Sequence, residues 1–165
     1  LESLKDRFKH RIIISGNHDW GFEFNAKAIM DECFDEDVIY LEDSGIELEG
    51  VMFYGSPWTP QFYNWAFMDE DANLAMKWKK INDDVEVLIT HGPPKYILDK
   101  NADGEHCGSQ SLYDAVKYLP KLKHHIFGHL HHSYGQEKVD DVTFHNVASL
   151  NDQYLYQNPP QVIEL

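Results

Sequence analysis

Residues 12–22 read IIISGNHDWGF: three isoleucines and a serine run into a glycine, and an amide, an imidazole and a carboxylate follow at once. A short β-branched run bounded by glycine reads as a buried strand, which leaves Asn17, His18 and Asp19 at its carboxyl end. The same pattern recurs twice downstream. VEVLIT (85–90) is closed by His91-Gly92-Pro93-Pro94, and KHHIF (123–127) by Gly128-His129-Leu130-His131-His132. In open α/β sheets ligands gather outside the carboxyl ends of strands, where loops bring distant residues together. Of ten histidines, four (His18, His91, His129 and His131) fall at such ends.

The intervening segments fit that frame. From Phe22, apolar residues at 22, 26, 29 and 33 step at helical spacing; Leu74, Trp78 and Ile81 mark a second helix, and Leu112, Ala115, Val116 and Leu119 a third that stops before Pro120. VIYL (38–41), IELE (46–49), VMFYG (51–55), VTFHNVAS (142–149) and QVIEL (161–165) read as strands, with a tight turn at Glu49-Gly50. Residues 1–9 read as the tail of a helix. There is no repeat, low-complexity tract or linker, so residues 1–165 are expected to form a single layered α/β domain.

Composition narrows the function. With 42% apolar residues and 13% aromatics the chain is globular. Its 14 basic against 28 acidic residues give a formal charge of −14, which opposes bulk nucleic-acid binding and anionic membrane surfaces. A small phosphate ligand held by cations remains compatible, because bound metal reverses the local field. Cys33 and Cys107 make neither a disulfide framework nor a zinc motif, so a reducing cytoplasm is the default. No apolar run approaches the ~20 residues of a membrane span.

Taken singly, each strand-end residue has an ordinary structural job; Asn17, for instance, suits a turn or helix cap. Jointly they suit chemistry. Asn oxygen and His nitrogen are ligands for Mn, Fe, Co, Ni or Zn. His18 between them fits a general acid that donates to a leaving oxygen, and Asp19 would hold or polarise that ring.

GNHD, HGPP and GHLH in this order resemble the calcineurin-like metallophosphoesterases. THGPPKYILDKNADGEHCGSQSLYDAV (90–116), HIFGHLHHSYG (125–135) and FHNVASLNDQY (144–154) look more specifically like the branch around the class III cyclic-nucleotide phosphodiesterases. The resemblance covers the chain from about residue 8 to its end. It implies a layered sandwich of two mixed β-sheets flanked by helices. Asn17, His91 and His129 would bind one metal and His131 the other. His18 would be the acid or phosphate-contacting residue, with Asp19 orienting it. The implied reaction is in-line attack on phosphorus by a metal-bound hydroxide, with two metals about 3.5–4 Å apart. The implied substrate is a phosphodiester or small nucleotide, cyclic nucleotides included.

Two family motifs, D-x-H and G-D-x-x-D, do not occur in the chain. They supply the first metal's Asp and His and the carboxylate that bridges both metals. The expectation is therefore the C-terminal part of a longer enzyme, without the fold's N-terminal βα portion. Such a part would hold one ion or none and be a poor catalyst alone, whereas the complete enzyme would hold two. A sheet edge left uncovered would favour self-association or a complementing N-terminal segment. The competing reading is a non-catalytic interaction scaffold with the same fold.

The weaker signals are few. His106 would be a solvated loop residue or a phosphate contact, and Cys107 a packed thiol. GSPWTPQFYNWAF (55–67) gathers two Trp, two Phe and a Tyr in one loop, mostly for packing, with one or two set to form an aromatic wall that stacks a base.

Overall fold

The computed structural model describes residues 7–165, so the helix expected over 1–9 lies largely outside the described residues; residues 7–9 form no helix. The isoleucine run forms β1 (Arg11–Ile13), which pairs in parallel with β2 (Val38–Tyr40), Ile12 opposite Ile39. Between them runs α1 (Trp20–Cys33), which is interrupted at Asn25 (φ −160°, ψ 69°). The Asn25 side-chain oxygen accepts the Ala28 N–H and so restarts the helix as a cap would. No residue of α1 is fully buried; it lies over the surface, with Phe22 packed on Phe34 and Tyr40.

Six of the other strands, β3 (Ser44–Leu48), β4 (Val51–Ser56), β7 (Val87–Thr90), β8 (His124–Phe127), β10 (Val142–Asn146) and β9 (Gly135–Val139), form a mixed sheet in that spatial order. β3 and β4 are a hairpin whose turn places Glu49 at φ 53° and Gly50 at φ 82°. Two left-handed residues in a row match the right-handed strand twist, and glycine accepts that conformation at no steric cost. β4, β7, β8 and β10 run parallel, and β9 closes the edge antiparallel. A two-residue parallel pair, β5 (Thr59–Pro60) with β6 (Met68–Asp69), clips the aromatic loop. The layered α/β class is thus the observed one, with most strands gathered in a single large sheet.

Helices α2 (Asp71–Trp78) and α3 (Gln110–Val116) pack against the sheet through Leu74, Trp78, Leu112 and Val116, which meet Leu88, Phe127 and Phe144 in the core. Their starts are tied together: the Asp71 carboxylate accepts the Ser109 hydroxyl (2.5 Å) and the Ser111 N–H (2.9 Å). Among the described residues no helix is long and apolar enough to cross a membrane.

Two strand expectations are corrected. QVIEL (161–165) forms no strand. Pro159 and Pro160 remove backbone donors ahead of it, and Gln161 instead reaches the sheet with its side chain, donating to the Asn146 carbonyl (2.9 Å). The 142–149 run ends as a strand at Asn146. β9 escapes sequence reading because its GQEKV is polar and its residues are mostly exposed at the edge.

Candidate functional site

Because β7 and β8 are adjacent and parallel, the HGPP and GHLHH loops leave the sheet side by side, joined by a bond from Gly128 N–H to the His91 carbonyl (3.0 Å). The β1 loop closes on them. His91 Nε2 lies 2.7 Å from Asn17 Oδ1, and the His91 and His129 rings are 4.6 Å apart. Gly16 permits this approach: a Cβ there would sit 2.5 Å from His91 Cε1. Asn17 is buried and its carbonyl accepts the Ala66 N–H (3.1 Å), while His18 and Asp19 remain exposed.

His129 holds φ 68°, a conformation uncommon for a non-glycine residue and one that clusters at functional sites. His131, in a 3₁₀ turn over His131–Ser133, donates Nδ1–H to the Asn151 carbonyl (2.9 Å), which leaves Nε2 with its lone pair. The Asp19 carboxylate turns to the backbone and accepts the Gly16 N–H (2.7 Å), whereas the sequence predicts that it holds or polarises the His18 ring. The His18 ring itself lies 5.0 Å from the Trp65 indole.

Electrostatics favour neutral imidazoles. His91 keeps an opening to the cavity, yet the protein packed around it pushes its pKa down to about 3, with help from His129, His18 and His131. Burial, then His131 and His18, push His129 down to about 4. Both rings therefore offer lone pairs at neutral pH.

These residues line a cavity of 540 Å³, His18, His91, His129 and His131 among them, with Phe62, Trp65 and Tyr154 also in its walls. Its size is that of a small-ligand site. The metal expectation can be tested on the donor set. Two neutral imidazoles and an amide oxygen converge, and such N and O donors suit a borderline divalent ion. Among the described residues no group of three or more His, Cys, Asp or Glu is placed to hold an ion. The donors thus fit a metal in kind, as a partial set.

Sequence reasoning missed the residues beneath the site. Asn146, fully buried at the end of β10, donates to the carbonyls of Leu98 (3.1 Å) and Leu130 (2.9 Å) and accepts the Ala148 N–H (3.1 Å), so it clamps the loop that carries His129 and His131. The Thr90 hydroxyl donates to the Gly92 carbonyl (2.7 Å) and accepts from His125 (2.8 Å), which fixes the HGPP turn. A lone buried Asn or Thr in a strand carries no sequence signal of its own; only the ring of bonds reveals it. His106 pairs with the buried Asp99 carboxylate (2.6 Å) and does not line the cavity. Cys107 is exposed and not the packed thiol expected, because its loop lies at the surface; local desolvation, then Glu105 and Asp99, push the thiol up, away from nucleophilic character.

The sequence model described as calcineurin-like phosphoesterase matches residues 1–133. Metallophosphoesterase domain-containing protein 1 of Homo sapiens is 34% identical, over 96% of this chain and 56% of that protein. UPF0046 protein T07D4.2 of Caenorhabditis elegans is 29% identical, over 98% of this chain and 48% of that protein. The chain therefore spans about half the length of the curated relatives it matches. A solved crystal structure superposes with a TM-score of 0.62 at 18% identity, covering 83% of this chain and 56% of that one, a likeness of fold alone.

Proposed function

The chain belongs to the calcineurin-like phosphoesterase family, and on that premise we propose that it serves as the metal-dependent site of a hydrolase that cleaves phosphodiesters, small and cyclic nucleotides among them. At the family level the activity is that of a phosphoesterase, and the family's usual cofactors are divalent metals. The observation that carries the reading is the convergence of Asn17, His91 and His129 from three separate strand ends, with Asn17 and His91 at 2.7 Å.

Asn17, His91 and His129 would hold one divalent ion, and His131, through the Nε2 left free by its bond to Asn151, would serve a second. Bound divalent ions supply Lewis-acid stabilisation of the phosphoryl charge and activate water. The chain's own contribution is positioning. Gly16 lets the amide reach His91, and Thr90 and Asn146 hold the two histidine loops in register. His18 is exposed at the cavity and lies beside an indole, and in this reading it would give its proton to the oxygen of the departing ester arm.

Hydrolysis of bis(p-nitrophenyl) phosphate by the full-length protein with added Mn²⁺ tests this. Loss of His91 by His91→Ala should abolish metal-dependent turnover, and His18→Ala should lower kcat by about 10²–10⁴. Variants that turn over like the wild type would overturn the assignment, and no turnover in the wild type would favour the scaffold reading.

A further inference from the structure

We propose that Trp65, with Phe62 at its edge, is a specificity wall that selects phosphodiesters carrying a planar aromatic ester arm; this rests on the phosphoesterase reading and deepens it.

The loop that carries these rings is built rigidly. Thr59 N–H bonds the Phe67 carbonyl (3.1 Å) and Gln61 N–H the Asp69 carbonyl (2.9 Å), which closes the loop at its base. Ala66 and Phe67 are fully buried, and Trp58 meets Phe67 edge-on (5.6 Å), so the apolar anchoring of the loop is already met without Trp65. Tyr63 (φ 62°) and Phe67 (φ 50°) hold left-handed backbone on either side of it, a conformation that persists only where the surroundings over-determine it.

The rings left over point to a ligand. Phe62 and Tyr63 are 58% and 71% exposed, while Trp65 is half-buried and lines the same cavity as the histidines. Phe62 and Tyr63 brace the indole at 6.1 Å (80°) and 5.8 Å (44°). The bond from Ala66 N–H to the Asn17 carbonyl locks this wall to the loop that presents the donors. His18 lies 5.0 Å from the Trp65 ring at 37°. The oxygen that His18 protonates therefore departs beside the indole, and the group attached to that oxygen lies along the indole face. A planar ring gains most there, since aromatic stacking tolerates any π-face and excludes water from the cleft. Tyr154, which meets His131 edge-on at 5.2 Å, lines the same cavity.

The test compares two diesters of equal charge, diphenyl phosphate and diethyl phosphate, bound to the full-length protein with Mn²⁺ and titrated calorimetrically. The wild type should bind the diphenyl ester about tenfold more tightly or better. Trp65→Leu should bring the ratio of the two affinities close to one, and Trp65→Phe should restore it. His91→Ala should weaken both esters together, because it removes the phosphate anchor and leaves the wall in place. An unchanged ratio in Trp65→Leu overturns the specificity wall while leaving the phosphoesterase reading standing. Equal affinities for the two esters in the wild type do the same. Diester binding that His91→Ala leaves intact, or no binding of either ester by the wild type, overturns both.

Discussion

The site is decided by contacts of single atoms. Gly16 stands where a Cβ would meet His91 at 2.5 Å, so Gly16→Ala must push the imidazole away from Asn17. A misplacement of about 1 Å at a site of this kind costs about 10²-fold; turnover of bis(p-nitrophenyl) phosphate should fall by about that factor, while the thermal midpoint moves little because the clash is relieved at the end of a side chain. His125 makes a separate point. Thr90 spends its proton on the Gly92 carbonyl, so His125 must donate Nε2–H to Thr90, and its Nδ1 is left buried without a partner. Burial, then His145, hold its pKa down to about 3. In the unfolded chain the ring takes up a proton near 6.5, whereas the folded chain resists protonation until about 3. The unfolded state therefore binds more protons across that window, and stability is full above 6.5 and declines as pH falls through it. The slope from this ring is at most about 1.4 kcal/mol per pH unit. Urea midpoints at pH 7.5 and pH 5 measure the effect; a midpoint that rises on acidification would contradict it.

At the scale of elements, the strand ends matter more than the strands. β10 ends in Asn146, whose three bonds fasten the loops of Leu98, Leu130 and Ala148. Asn146→Ala leaves the buried Ala148 N–H and two half-buried carbonyls without this partner, and the loss should be about 2 kcal/mol, read from urea unfolding, with weaker Mn²⁺ binding alongside. Unchanged stability would show that the loops hold without the clamp. The elements differ in how far their residues announce them. VEVLIT and KHHIF are apolar enough to name their strands, and Phe22, Ala26, Ile29 and Cys33 mark α1 although that helix buries none of its residues fully. Pairing at an edge needs no apolar face, so β9 with its GQEKV gives no alternation to read. QVIEL misleads in the opposite sense: it has the composition of a strand, but among the described residues it pairs with none, and the Gln161 side chain reaches β10 and β9 instead.

For the whole molecule, topology turns sequence into a site. Adjacent parallel β7 and β8 bring His91 and His129 together across 38 residues of chain, and β1 delivers Asn17 from further still. Asn17, His18, His91, His129 and His131 are legible beforehand only as a set: each alone suits an ordinary turn or cap, and it is their recurrence at the carboxyl ends of three apolar strands that points to a site. Trp65 is legible only in part: the sequence offers one or two of the five rings at 55–67 as a stacking wall without saying which, and the Ala66–Asn17 bond singles out Trp65 by holding it beside the donors. The sheet and its two helices depend on one shared core, and Leu74, fully buried within it, is expected to cost about 3 kcal/mol on change to Ala, measured by urea unfolding; a loss below about 1 kcal/mol would mean that α2 is not part of that core.

The proposed function rests on Asn17, His91 and His129 holding one divalent ion between them. Calorimetric titration of the protein with Mn²⁺, repeated on His91→Ala, tests it most directly. Saturable binding that His91→Ala removes is the predicted result; binding that is absent from the wild type, or that survives in His91→Ala unchanged, would contradict it.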